Sequence, residues 1–341
     1  MKERIVWADI VRIVGIYFII VLHVATGPLP SKANFLFFIN MTLIHICVPL
    51  LIMLSGALLI GKKESYKIFF NKRIKRVIIP WITWSCLFTL LVVSIHADYN
   101  VNNIFAMFRT IFIQLNWFII LICSLYLLTP AIRIFAQNAK TKDVLMVVLL
   151  WFFSVSLLPT LRDTAAFPLS TDNGIVRLVI SFIGYFFLGF LITKIQLQKY
   201  IMPLFIIFII SVLVTSAYGY YSSINNFLHA SMVFDYIAPG IIAVSLSFFS
   251  LLYSMEKIYQ RLFTSFIKKL LFSISNAALG IYFIHYLFLN RAPLPVLLKN
   301  TSYITISYDI DLFINGFLIF VVSFAIIFSL QKIPKVKHFI A

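Results

Sequence analysis

The chain begins a long apolar run at Ile5, and residues 5–25 read IVWADIVRIVGIYFIIVLHVA. About 20 mainly apolar residues suffice for a helix to cross a bilayer, yet this run also contains Asp9, Arg12 and His23. Spacings of three and eleven residues are close to whole turns at about 3.6 residues per turn, so these side chains are predicted to share one helix face. Ionisable residues inside a membrane are costly and usually mark a functional path.

The whole chain is as apolar as its first run. Of its 341 residues, 62% are hydrophobic and 11% charged, and the mean hydropathy is +1.02. No soluble core accounts for this composition, which predicts an all-α integral membrane protein. The formal net charge is +17, but the basic residues flank the apolar runs instead of forming a compact patch. Topology signals have this distribution, so nucleic-acid binding is not expected.

Apolar runs recur along the chain and predict a bundle of about ten transmembrane helices. The predicted spans are residues 5–26, 35–60, 77–96, 116–136, 143–159, 175–195, 200–219, 233–254, 268–289 and 312–331. Most Lys and Arg residues lie in alternate connections, which predicts that both termini are cytoplasmic. No flexible linker divides the chain, so residues 1–341 are expected to form a single domain. Residues 102–114 are either a surface or re-entrant helix, or the start of the fourth span.

Small residues and cysteines carry structural expectations. Gly184, Gly189 and Gly280 are predicted to permit close helix packing. The cysteines lie in apolar runs without CxxC spacing, so neither a disulfide framework nor a metal site is expected. Asp9 and Arg12 interrupt the first apolar run, which indicates a retained helix and not a cleaved signal peptide.

The connection after the second span is strongly basic. Residues 61–80 read GKKESYKIFFNKRIKRVIIP and include seven Lys and Arg residues. Such clusters commonly set topology and contact anionic lipids. The alternative is a docking site for a polyanionic cytosolic cofactor, with Arg73 and Arg76 adjacent at i, i+3. Arg12 has a similar choice between a structural ion pair with Asp9 and a bidentate contact to a phosphate.

Histidines near the ends of spans are candidates for proton transfer. A neutral imidazole is the usual general base for a hydroxyl proton, which makes His23 the predicted base. His285, with Tyr282 on the same helix face, lies at a depth similar to that of His23. His45 precedes a proline, where it either bonds carbonyls freed by the ring or has a functional role. Arg177, near the outer end of the sixth span, either faces an outer cavity or extends to lipid headgroups.

Taken together, these segments resemble the motifs of membrane-bound acyltransferase family 3, particularly its short members without an extra extracytoplasmic domain. The matching segments follow the family order along nearly the whole chain. They are Arg4, Asp9, Arg12 and His23; VPLLIMLSGA at residues 48–57; Arg73, Arg76 and Pro80; Trp117, Phe118, Tyr126 and Pro130; GYFFLG at residues 184–189; and GIYFIH at residues 280–285.

Two positions depart from the family pattern. Leu115 stands where many relatives have a histidine two residues before the tryptophan, so any role of that histidine is absent or altered. Leu51 replaces the usual phenylalanine, a milder change that affects packing.

The resemblance implies transfer of an acyl group, most often acetyl, from cytosolic acyl-CoA to a hydroxyl of a cell-surface glycan or its lipid-linked precursor. It implies a catalytic set of His23 as general base and Asp9, which holds Arg12 in position, without a metal. The implied cofactor-binding residues are Arg12, Arg73 and Arg76. The candidate acceptor-binding residues are His285, Tyr282, Trp117 and Arg177, and the alternative role of His285 is that of a second hydrogen-bond partner. The implied location is the bacterial plasma membrane, with membrane lipids as neighbours.

A transporter or flippase of a small polar or glycolipid substrate is the alternative. Buried Asp, Arg and His side chains also suit a permease. Transporters are often built from two related halves with paired broken helices, and no such repeat is evident in this chain. Substrate flux without acyl transfer would favour this alternative.

Overall fold

The computed structural model describes residues 5–25, 34–95, 101–114, 116–161, 174–225, 233–289 and 308–340. Within these ranges the chain is almost entirely helical and contains no β-strand, which confirms the predicted all-α class. The helices are α1 Val6–Ala25, α2 Phe35–Leu59, α3 Tyr66–Ser94, α4 Val101–Arg109, α5 Trp117–Asn138, α6 Thr141–Leu161, α7 Gly174–Ile192, α8 Ile201–Asn225, α9 Pro239–Ser254, α10 Glu256–Leu262, α11 Ser265–Ile284, α12 Tyr308–Gln331 and α13 Lys337–Ile340.

The number of predicted spans agrees with the structure. Within the described ranges, nine helices are long and apolar enough to cross a membrane, and the pair α9 and α10, bent by 46°, provides a tenth if it is one span. Helix α3 begins at Tyr66 and not at residue 77, because Lys and Arg are good helix formers and extend the helix beyond its apolar part. Helix α9 begins at Pro239 and not at residue 233, since proline favours the first helical turn. The cytoplasmic location of the termini stays a prediction.

Residues 101–114 form a separate short helix and not the beginning of α5. The α-helical part, α4, ends at Arg109, and a π-helical turn follows it over Thr110–Gln114. This turn packs on α3, where the Trp81 ring stacks on Phe112 with centroids 4.0 Å apart. The Trp81 indole N–H also donates to the Phe112 carbonyl at 3.2 Å.

Helix α1 lies among several other helices and is anchored at its first turn. It packs against the second half of α2, against α11 and against α12. The Glu256 carboxylate, at the start of α10, accepts hydrogen bonds from the backbone N–H groups of Val6 at 3.1 Å and Trp7 at 2.7 Å. The first N–H groups of a helix lack partners inside the helix, and a negative charge there is favourable. Glu256 therefore holds α1 at a defined depth in the bundle.

Helices α2 and α7 approach so closely that glycine is required on both. A Cβ added at Gly56 would lie 1.8 Å from the Phe186 carbonyl oxygen, and one added at Gly189 would lie 1.8 Å from that of Met53. A Cβ at Gly184 would likewise overlap the Trp151 ring of α6. The packing predicted for Gly184 and Gly189 is confirmed.

Gly189→Ala is expected to lower the melting temperature of the purified protein. The new methyl group meets backbone atoms, which move less readily than side chains, and overpacking typically costs about 1–3 kcal/mol. Gly61→Ala is the matched control, because a Cβ there meets nothing closer than the edge of Phe190 at 3.5 Å. Equal melting temperatures for the two variants, measured by thermal unfolding in the same detergent, would contradict this account of the α2–α7 contact.

Candidate functional site

Helices α1 and α11 contact each other at two levels. Arg12 Nη1 donates to Ser275 Oγ, and about three turns further along α1 the His23 Nδ1 atom lies 2.9 Å from His285 Nε2. The partners are separated by 263 and 262 residues in sequence, so the two helices run parallel and in register. This confirms that Arg12 and His23 share one face of α1, and that face packs on α11.

The Arg12 end of α1 lines a cavity of about 390 Å³. Asp9 contacts Arg12 with an N–O distance of 3.6 Å, as the i, i+3 spacing predicts. Arg73 and Arg76 line the same cavity from α3, so the structure brings all three predicted cofactor-binding arginines together. The lining residues are Asp9, Arg12, Ile16, Leu51, Leu54, Ser55, Leu58, Leu59, Arg73, Arg76, Val77, Phe118, Ile119, Ile122, Tyr126, Phe272, Ser275, Asn276, Ala278 and Leu279.

The electrostatics of this cavity favour an anion. Among its described lining residues, three are arginines and one, Asp9, is acidic. The Arg73 guanidinium is further supported by the Tyr126 ring, whose centroid lies 5.2 Å away. A cleft with an excess of one charge attracts ligands of opposite charge, and guanidinium groups bind phosphates bidentately. The cavity can therefore hold a phosphate-bearing ligand whose apolar part lies against the leucine and phenylalanine walls.

The His23 end of α1 contains a cluster of histidine and tyrosine side chains. His285 is fully buried, and its ring is within 8° of parallel to the His23 ring. The Tyr286 hydroxyl lies 3.5 Å from His23 Nε2. Tyr282 packs between the two ends of the site, with its ring centroid 5.9 Å from His285 and 5.8 Å from Phe118, a cavity-lining residue. The cavity wall and the histidine pair are thus connected through one tyrosine.

The other predicted site residues lie around the two ends of the site or outside the described part of the chain. Trp117, the first residue of α5, packs against Phe182 and Tyr236 with ring centroids 6.0 and 5.8 Å away. Arg177 is half-buried in the first turn of α7. Asp9 contacts Arg12 and lies 14 residues from His23, or about 21 Å along the helix, so any catalytic part for Asp9 acts through Arg12. Leu115 lies outside the described residues.

His45 contacts a backbone carbonyl, but not one that Pro49 leaves without a donor, because the Met41 carbonyl also accepts the His45 backbone N–H at 3.2 Å. Its Nδ1 atom lies 2.6 Å from the Met41 carbonyl oxygen, at the break in α2 between Ile44 and Cys47. Its ring also stacks on Phe234. The contact with the Met41 carbonyl therefore adds to a regular helical hydrogen bond at the end of the first half of α2.

Within the basic connection, two lysines and two arginines have different surroundings. Glu64 pairs with Lys62 at 3.6 Å, Lys72 at 2.8 Å and Arg133 at 3.3 Å. The Arg133 side chain, which comes from α5, is buried, and its Nε donates to the Leu59 carbonyl at 2.9 Å. Lys62 and Lys72 are therefore engaged by a carboxylate, whereas the neighbouring arginines of α3 line the cavity.

Glu64 is expected to make the protein acid-sensitive. Burial by itself raises the pKa of Glu64, but hydrogen bonds from Lys72 and Arg133 and the charge of Lys62 outweigh it and lower the pKa from 4.5 to about 2. A carboxyl whose pKa is lowered by folding stabilises the fold above its unfolded pKa and loses that contribution as the pH falls through its folded pKa. The loss is expected between pH 4.5 and about 2.

Thermal unfolding of wild type and Glu64→Gln at a series of pH values checks this prediction. Glu64→Gln is expected to be less stable near neutral pH and to lose less stability on acidification, so the two melting temperatures converge at low pH. Melting temperatures that fall in parallel would show that Glu64 does not contribute to the acid response.

Sequence reasoning missed polar members of the site, among them Ser275 beside Arg12 and Tyr286 beside His23. Ser275 lies ten residues before His285, close to three helical turns, so it shares a face with the histidine. Tyr286 follows His285 directly, and the turn to a 3-10 helix at His285–Phe288 brings both side chains to His23. The helical spacing was a usable signal for Ser275, whereas the change of helix type gave no signal for Tyr286.

Comparison with known proteins places this arrangement in a family. The model of acyltransferase family 3, described as an acyltransferase domain, matches residues 5–332. No match was found among curated proteins or among solved structures. The matched region is nearly the whole chain and contains every residue of the two site ends, from Asp9 to Tyr286. The chain therefore belongs to acyltransferase family 3 and is a multi-pass membrane acyltransferase.

Proposed function

We propose that this acyltransferase moves an acyl group, in the simplest case acetyl, from cytosolic acyl-CoA to a hydroxyl of a cell-surface glycan or its lipid-linked precursor. It is proposed to act as a single domain in the plasma membrane of a bacterium, with membrane lipids around it. The observation that carries the proposal is the shared face of α1, which has an arginine-lined cavity at one end and a histidine at the other.

The arginine-lined cavity supports acyl-CoA as the donor. Coenzyme A carries several phosphate charges, which match the positive charge of Arg12, Arg73 and Arg76. Asp9 holds Arg12 in place through their ion pair. The apolar walls suit the uncharged arm that ends in the thioester. The predicted cytoplasmic side of α1 is the same end, where acyl-CoA is available.

The histidine end supports an acceptor hydroxyl. His23 lies about 16.5 Å along α1 from Arg12, so phosphates and thioester would occupy different levels of the bundle. In the proposed step, His23 takes the proton of the hydroxyl while the hydroxyl oxygen attacks the thioester carbonyl. The C–S bond then breaks, and the leaving thiolate receives that proton from His23. The products are an ester and free coenzyme A.

The aromatic side chains near His23 supply a surface for the acceptor. Tyr282 lies beside His285, which contacts His23, and Trp117 packs against Tyr236. Aromatic side chains with a polar tip combine apolar packing with hydrogen bonding, which suits a sugar. Arg177 is proposed to face the same acceptor from α7.

The test is an acyl-transfer assay with purified protein in proteoliposomes. Radiolabelled acetyl-CoA is supplied together with candidate glycan and lipid-linked acceptors, and the labelled ester and released coenzyme A thiol are measured. Formation of labelled ester and free coenzyme A in equal molar amounts supports the proposal. Competition between acetyl-CoA and longer acyl-CoA species shows which acyl group the protein prefers. Movement of an acceptor across the membrane without ester formation would contradict it and favour a transporter.

A further inference from the structure

We propose that His285 sets the tautomer of His23, so that Nδ1 of His23 carries the proton and Nε2 is its basic nitrogen. The inference deepens the proposed function, because it states which atom of the proposed base meets the acceptor hydroxyl. In this role His285 is a positioning residue for His23, in place of the acceptor contact predicted from sequence.

A backbone carbonyl fixes which nitrogen of His285 carries the hydrogen. His285 Nδ1 lies 3.3 Å from the Ile281 carbonyl oxygen. A carbonyl oxygen only accepts hydrogen bonds, so His285 Nδ1 must be the donor. In a neutral imidazole the other nitrogen is then an acceptor, which makes His285 Nε2 an acceptor.

The tautomer of His285 determines that of His23. His285 Nε2 lies 2.9 Å from His23 Nδ1, so His23 Nδ1 must carry the hydrogen. His23 Nε2 then has a lone pair, and the Tyr286 hydroxyl 3.5 Å away is placed to donate toward it. All three contacts agree with one direction of donation, from Tyr286 through His23 and His285 to the Ile281 carbonyl.

The geometry of the histidine pair suits this bond. The two rings are within 8° of parallel, and the bonded nitrogens are 2.9 Å apart while the centroids are 5.1 Å apart. Because the nitrogens are much closer than the centroids, the rings meet edge to edge, with the N–H directed along the ring planes. His285 is fully buried, and a buried polar group favours the state in which its hydrogen bonds are made.

This arrangement has a consequence for the proposed reaction. When His23 Nε2 takes the hydroxyl proton, the ring becomes an imidazolium whose Nδ1–H continues to donate to neutral His285. His285 thereby stabilises the positive charge without changing its own protonation. The proton returns from His23 Nε2 to the leaving thiolate, so the histidine pair ends the cycle in its starting state.

The tautomer can be measured on the whole, ligand-free protein by NMR of ¹⁵N-labelled histidine in lipid. The chain has six histidines, and the His23 signals are identified by their loss in His23→Ala. We expect a protonated Nδ1 and an unprotonated Nε2 for His23 in wild type. The same pattern is expected in His285→Gln, whose amide oxygen can accept from Nδ1–H, and in Tyr286→Phe, which keeps the ring. His285→Leu is expected to shift His23 toward the Nε2–H form.

A protonated Nε2 on His23 in wild type would overturn the inference, as would an unchanged tautomer in His285→Leu. The measurement does not depend on turnover, so it stands even if the protein fails to acylate any glycan. In the transfer assay, His285→Leu is expected to lower kcat by roughly 10²-fold with the KM for acyl-CoA unchanged, and His285→Gln to restore most of it. Equal losses in both variants, together with lower melting temperatures, would show a merely structural role.

Discussion

Replacing His23 with alanine is expected to lower kcat for acyl transfer by about 10²–10⁴-fold, the range that a positioned general base contributes. The affinity for acyl-CoA is expected to stay unchanged, because His23 lies about three helical turns from the arginine-lined cavity. His23→Ala also loses the hydrogen bond of the imidazole to buried His285. His23→Gln, which retains a polar side chain of similar size, should therefore fold at least as well as His23→Ala and be equally inactive.

Single-turnover measurement of labelled ester, paired with equilibrium binding of coenzyme A, separates these expectations. His338→Ala is the matched control, because His338 is exposed on α13 and its loss should leave kcat unchanged. Transfer at the wild-type rate by His23→Ala would remove His23 from the mechanism. Loss of both coenzyme A binding and turnover would show instead that the substitution damages the whole bundle.

Replacing Arg12 with alanine is expected to weaken binding of acyl-CoA and to lower transfer at low donor concentration. A hydrogen bond to a charged group contributes about 1.5–3 kcal/mol, and every 1.4 kcal/mol is about tenfold, so the Kd should rise by roughly 10–150-fold. The Kd of Arg12→Lys is expected to lie between those of wild type and Arg12→Ala, because an ammonium keeps the charge but loses the bidentate geometry. At saturating donor, kcat should change little, since Arg12 is remote from the His23 end.

Calorimetric titration with coenzyme A measures these affinities. Arg12→Ala alone leaves the buried Asp9 carboxylate without its Arg12 contact, so the double variant with Asp9→Asn serves as a second test of binding. Arg261→Ala is the matched control, because Arg261 is an exposed arginine at the end of α10. An unchanged Kd in the single and the double variant would contradict the assignment of the cavity to the donor.

Several features of the site were predictable because they depend on local geometry. Arg12 and His23 belong to one helix, and helical periodicity alone places them on one face. The Asp9–Arg12 ion pair follows from the same periodicity. The apolar runs likewise predicted the spans, because a bilayer requires about 20 apolar residues whatever the neighbours are.

Partners from distant segments were not predictable in this way. Arg133 and Glu64 are 69 residues apart, and their ion pair depends on how α5 packs beside the connection that follows α2. The grouping of Arg73 and Arg76 with Arg12 also depends on packing, since the sequence leaves open whether a basic connection faces lipid or a cavity. The glycines were predictable as contact points, but their partner backbones were not.

By itself, the sequence determined an all-α membrane chain with about ten spans, and a first helix whose Asp9, Arg12 and His23 face one way. Only the tertiary structure decided what that face meets. It placed α11 parallel to α1, with Ser275 opposite Arg12 and His285 opposite His23. The reason is physical: the direction of a side chain follows from the helix that carries it, whereas its partner follows from interhelical packing summed over the whole bundle.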